Sequence, residues 1–115
     1  MPAPPTRTPE QRLEALQQAL EVRRKQAAVK QDIHTGQRTI GSVLDAGHKG
    51  AGDHVLGHMD LGEILLAVNG VGPVHAAQVL AAVEMDPDHH VDQLGVKQVQ
   101  AFKDAFHEVT GQSAG

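Results

Sequence analysis

Apolar positions recur at three- and four-residue intervals along most of this chain, and nowhere do apolar and polar residues alternate long enough to make a strand; the pattern predicts an all-α fold. The first helix opens at Thr8-Pro9-Glu10-Gln11. There the Thr8 hydroxyl can accept from the Gln11 amide, the Gln11 side chain can reach back, and Pro9 suits the first helical position. Leu13, Leu16, Leu20 and Ala27 then form an apolar stripe among Gln, Glu, Arg and Lys, until Gly36 supplies a stop. About 27 residues at roughly 1.5 Å each make a rod of about 40 Å. A core of this size cannot cover such a rod, so its N-terminal part is expected to project.

A short helix is predicted around Ile40 to Ala46, followed by the glycine-rich loop Gly47-His48-Lys49-Gly50-Ala51-Gly52. Leu61, Ile64, Leu65 and Val68 mark the next apolar face, Asn69-Gly70-Val71-Gly72 is a turn, and Pro73 opens a helix expected to turn Val74, Ala77, Leu80 and Ala81 inward. Asp86-Pro87-Asp88 breaks that helix. Leu94-Gly95 leads into a last helix, with Val99, Phe102 and Phe106 on one face, that ends before Gly111. The expected organisation is a flexible segment 1–8, a long helix 9–36 packed on a small compact domain 37–110, and a flexible tail 111–115.

Composition sharpens this picture. At 115 residues and 12.2 kDa the chain is one domain's worth of polypeptide. The two phenylalanines are its only aromatics apart from histidine, so the core must be built from Leu, Val, Ile and Ala. The absence of Cys excludes disulfides, thiolate metal sites and cysteine catalysis, and fits a reducing cytoplasm. Residues 1–8 hold no apolar run of the kind a signal peptide or membrane span needs, and the expectation is a soluble, cytoplasmic protein.

The net charge of −4 argues on its face against a nucleic-acid partner. The average hides an asymmetry. Residues 1–38 carry seven basic and four acidic side chains, whereas residues 39–115 carry three basic and ten acidic, together with seven of the eight histidines. Arg23-Arg24-Lys25 with Lys30 therefore forms a basic band in the first helix, suited to a phosphate backbone or simply to water.

The stretch Asn69-Gly70-Val71-Gly72-Pro73 carries the clearest candidate chemistry. A glycine turn running into a helix N-terminus presents bare amides and the positive dipole end to an anion, and its glycines let a nucleic-acid backbone come close. Val71 would plug into the core and hold the turn rigid. The alternative is an ordinary glycine-stabilised helix hairpin without a ligand. His54 and His58 are four apart, and Asp86, Asp88, His89, His90 and Asp92 crowd one loop. Zinc or nickel could be held by such residue types, but Gly57 interrupts the pair and adjacent loop histidines need not converge, so no metal or other cofactor is expected. Ser42 and Ser113 lack any catalytic context and no nucleotide fingerprint occurs, so no enzyme is expected either.

The order of segments resembles the actinobacterial type of integration host factor, a small nucleoid-associated DNA-binding family with a long N-terminal helix and a helix-two-turn-helix motif. The resemblance spans about Thr8 to Phe106. It rests on Glu10-Gln11-Arg12, Val22-Arg23-Arg24-Lys25, Val55-Leu56-Gly57 with Met59, Gly70-Val71-Gly72 with Ala76-Ala77-Gln78, and Leu94-Gly95 with Gln98. It implies duplex DNA as partner, nucleoid association and bending or compaction with little sequence specificity. The implied contacts are Arg23, Arg24, Lys25 and Lys30 on the first helix, the turn Gly70, Val71, Gly72 and Pro73, and His75, His89, His90, Gly95 and Lys97.

Where the family carries basic residues after the second glycine, two positions later and before the leucine-glycine pair, this chain has Pro73, His75 and Asp88-His89-His90-Val91-Asp92-Gln93. Each lost phosphate contact removes counterion release, so affinity below the family norm is expected. Imidazoles become cations in mild acid, which makes stronger DNA binding below about pH 6.5 a corollary. The alternative is a divergent paralogue or phage-borne relative that has lost most DNA affinity and acts through protein contacts.

Overall fold

The computed structural model describes residues 8–115, so residues 1–7 of the expected flexible N-terminus lie outside the described residues. Six α-helices follow one another: α1 (Pro9–Thr35), α2 (Ile40–Gly47), α3 (His54–Gly57), α4 (Leu61–Ala67), α5 (Pro73–Ala82) and α6 (Val96–Thr110), with a 3-10 turn over Val91–Gln93 before the last. Among the described residues there is no strand, only an isolated antiparallel bridge between Asp60 and His90. The fold is all-α, as the periodicity predicts. No helix among these residues is long and apolar enough to cross a membrane.

Helix α1 begins and ends on local chemistry. Thr8 N–H donates to Gln11 Oε1 at 3.0 Å and Gln11 N–H donates to Thr8 Oγ1 at 3.2 Å, closing a capping box with Pro9 just inside it. At the other end Gly36 takes φ +82° and its N–H donates to the Ile33 carbonyl at 3.2 Å. That left-handed conformation is strained for a residue with a Cβ and relaxed for glycine.

The face by which α1 packs is not the leucine stripe. Val29 and Ile33 are its buried residues, and Gln26 Nε2 donates to the Val55 carbonyl at 3.2 Å. Leu13, Leu16 and Leu20 remain 57%, 56% and 40% exposed. At about 100° per residue the stripe of Leu13, Leu16, Leu20 and Ala27 is turned about 140° from the line through Val22, Gln26, Val29 and Ile33. The first four turns of α1 thus carry no buried residue and extend beyond the core, which gives the molecule extents of 57 × 30 × 25 Å.

The core is assembled around Phe102 and Phe106 of α6, with Leu44 of α2, Met59, and Leu61, Ile64 and Leu65 of α4 fully buried alongside them. Helix α3, which the periodicity does not predict, is a single turn capped by the Asp53 carboxylate, which accepts from Leu56 N–H at 3.0 Å. It crosses α2 so tightly that a Cβ on Gly47 would lie 2.8 Å from the Gly57 nitrogen. Helix α5 corrects the expected inward set. Ala76, Val79 and Leu80 are buried, while Val74, Ala77 and Ala81 face outward.

The C-terminal residues, expected as a flexible tail, also pack. Ala114 is buried, its carbonyl accepts from Gly41 N–H at 2.6 Å, and Gln112 Nε2 donates to the Asn69 carbonyl at 3.2 Å.

Candidate nucleic-acid interface

The α4–α5 connection is a rigid double turn. Val68 closes α4, Gly70 takes φ +88°, and Val71 N–H donates to the Val68 carbonyl at 3.1 Å. The Val71 side chain drops into the core, as its apolar character between two glycines predicts, and Gln112 braces the turn from the far side. Gly72 is then the N-cap of α5, extended at φ −95° and ψ 179°, and its carbonyl accepts the first helical bond from Ala76 N–H at 3.0 Å.

This end of α5 is open. Pro73 has no amide proton, and no side chain caps the helix, so the Val74 and His75 amides point out of the N-terminus without an intrahelical partner. His75 is exposed beside them. The start of α6 repeats the motif: Gly95 is its N-cap with no side-chain cap bond, Lys97 stands exposed in the first turn, and the Gln98 Oε1 accepts from Gly95 N–H at 2.9 Å. Each N-terminus combines unpaired donors with the positive end of a helix dipole, a combination suited to phosphate.

The other sequence-predicted residues divide. His89 and His90 are not drawn to the Gly70–Pro73 turn. Leu61 N–H donates to the His89 carbonyl at 2.8 Å and Val91 N–H to the Met59 carbonyl at 3.1 Å, which fixes this loop at the N-terminal end of α4, opposite the end that leads into the turn. The His89 Nδ1 accepts from Asp86 N–H at 3.0 Å, leaving only Nε2 to carry a proton while that bond stands.

His90 Nε2 lies 3.2 Å from Asp60, and its ring centroid is 6.0 Å from that of His58, which in turn approaches Asp92 at 3.4 Å and His54 at 6.5 Å between centroids. The two histidine groups, separate in the sequence, thus meet as one imidazole–carboxylate cluster. Among the described residues no group of three or more His, Asp or Glu is arranged to hold a metal ion.

On α1, Lys25 pairs with Glu21 at 3.4 Å and Lys30 faces Glu63 of α4 at 4.0 Å. Arg23 and Arg24 are exposed, and among the described residues neither makes an ion pair. Lys103, which belongs to no motif in the sequence, is committed to Asp45 of α2 at 2.8 Å.

Two short helices joined by a glycine double turn are the signature of a known class, and residues 33–106 match the S13-like H2TH domain. Proteins named integration host factor match over nearly the whole chain. The one from Streptomyces coelicolor is 31% identical over 89% of this chain and 92% of its own length, and the one from Mycobacterium tuberculosis is 33% identical over 89% and 94%. That of Mycolicibacterium smegmatis is 32% identical over 90% of this chain and 96% of its own. The solved structure of sIHF bound to an 8-bp palindromic DNA shares the fold, with TM-score 0.70 and 26% identity over 78% of this chain and 98% of that one. The chain belongs to the actinobacterial integration host factor family, a non-enzymatic one.

Proposed function

We propose that this protein binds duplex DNA in the nucleoid through backbone contacts with little base readout. The observation that carries the reading is the shared fold with sIHF, whose structure holds DNA. The open N-terminus of α5, with its Val74 and His75 amides after the Gly70–Gly72 turn, is the phosphate-facing feature. The first turn of α6 with Gly95 and Lys97 is a second, and Arg23 and Arg24 of α1 supply cations without intramolecular partners among the described residues. Gripping a duplex at separated points favours bending it, because the further phosphates that a bend brings within reach offset its elastic cost.

Affinity is below the family norm. Ten acidic side chains crowd residues 39–115, and Pro73 removes one amide donor from the turn itself. Protonating His75 adds a cation beside those amides, so affinity rises as pH falls. A fluorescence-anisotropy titration of a duplex of about 20 base pairs tests both statements at low salt and two pH values. Micromolar or tighter binding that weakens with salt is expected, tighter in mild acid. Absence of binding at low salt overturns the reading, and equal affinity at both pH values removes the histidine contribution.

A second reading, action through protein contacts after loss of DNA affinity, is favoured by one observation. An apolar groove of about 360 Å³ runs between α4 and α5, lined by Leu66, Pro73, Ala77, Leu80, Ala81 and Met85. The same titration separates the two, since this reading predicts no salt-dependent binding.

A further inference from the structure

The turn that carries Gly70 is held by a residue far along the chain. Val71 N–H, donating to the Val68 carbonyl at 3.1 Å, closes a β-turn with Asn69 and Gly70 at its centre. Asn69 keeps a negative φ while Gly70 takes +88°, the signature of a type II turn. A type I turn closes with the same bond between the same ends and differs chiefly by a half-rotation of the central Asn69–Gly70 peptide. An Asn-Gly pair suits several turn types, so these two residues do not themselves select between them.

Gln112 supplies the selection. Its Nε2 donates at 3.2 Å to the Asn69 carbonyl, which belongs to that central peptide. The C=O and N–H of a trans peptide point in opposite directions, so the Gly70 N–H is turned away from Gln112. Among the described residues that N–H has no hydrogen-bond partner, and Asn69 and Gly70 are both exposed. A half-rotation would reverse the display, with the carbonyl oxygen facing solvent and repelling an anion there.

The Gln112 backbone is itself fixed on several sides. Gly111 takes φ +73° at the end of α6, Gln112 N–H donates to Thr110 Oγ1 at 3.1 Å, and the Gln112 carbonyl accepts from His107 Nδ1 at 3.2 Å. Further on, the carbonyl of the buried Ala114 accepts from Gly41 N–H at 2.6 Å. Residues 111–114 thus form a strap from α6 to the start of α2, and one side chain of the strap reaches the turn. We infer that Gln112 is a positioning residue for the proposed DNA contact: it locks the Asn69–Gly70 peptide so that the Gly70 amide faces outward as a phosphate donor. This rests on the reading of the turn as phosphate-facing, and it gives that turn a donor ahead of Pro73, which has none.

Gln112→Met keeps the side chain's length and loses its donor. In urea titrations without DNA, Gly70→Ala strains the type II turn but not the type I turn, where that position has a negative φ. With the lock removed the peptide can rotate. The loss in folding equilibrium constant caused by Gly70→Ala should therefore be at least about threefold smaller in the Gln112→Met background than in the unsubstituted chain. Strictly additive effects overturn the lock. In anisotropy titrations Gln112→Met should weaken duplex binding about threefold with an unchanged slope of log affinity against log salt, since no cation is removed. Undiminished affinity overturns the positioning role. Failure of the unsubstituted chain to bind at low salt overturns the phosphate-facing reading and the positioning role with it; the lock is then decided by the urea cycle, which needs no DNA.

Discussion

Gly70 is the residue on which the turn proposed to face phosphate depends. Its φ of +88° lies in the left-handed region, and an added Cβ would also come 3.4 Å from Gln112 Nε2. Gly70→Ala is expected to lower stability by about 1–2 kcal/mol, read from a urea titration. An unchanged midpoint would mean that the turn tolerates another conformation. The roles of Val71 and Gly70 are legible in the sequence because they are local: an apolar residue between two glycines has one place to go. The joining of His58, His90, Asp60 and Asp92 is not. Those side chains come from two segments far apart in sequence, brought together by the backbone bridge of Asp60 and His90, and no spacing rule reports such a contact.

At the scale of elements, caps are readable and faces are less so. The Thr8 box, the Gly36 stop, the Gly72 start of α5 and the Gly95 start of α6 all stand where the sequence places them, since capping involves residues three or four apart. Helix α5 shows the limit. Val74, Ala76, Ala77, Val79, Leu80 and Ala81 leave it apolar on nearly every side, so periodicity has no phase to lock on, and packing against α4 and α6 chooses Ala76, Val79 and Leu80. Helix α3 leaves no mark in the sequence pattern because one turn is too short to show a period.

The same locality makes a prediction about α1. Thr8→Ala removes the cap of turns that touch no core, so it should cost local helicity of about 1 kcal/mol in the first turn and leave the global urea midpoint in place. Circular dichroism should show reduced ellipticity at low temperature. A shift of the unfolding midpoint would instead show that these turns are coupled to the domain.

Over the whole molecule, charge decides more than shape. The features proposed to face phosphate belong to an acidic segment, while Arg23 and Arg24, which make no ion pair among the described residues, sit on α1, so the salt dependence of the proposed DNA binding would report which of the two grips the duplex. Arg23→Gln and Arg24→Gln should each reduce the slope of log affinity against log salt by about 0.9. Lys30→Gln should change it less, since that ammonium already faces Glu63. Equal slopes in all three variants would place the contacts elsewhere. The net charge is legible at once, but not which cations remain free, because ion pairing between α1 and α4 is a property of the folded arrangement.

Mechanically, α1 is a cantilever. It is clamped where Val29 and Ile33 enter the core and Gln26 ties to the backbone of α3, and its overhang is about 25 Å. A load applied at its tip acts as torque on a clamp of two buried side chains, one hydrogen bond and the Lys30–Glu63 pair, at a distance from the double turn at Gly70. Amide exchange should follow that gradient, fastest at Arg12 and slowest at Ile33.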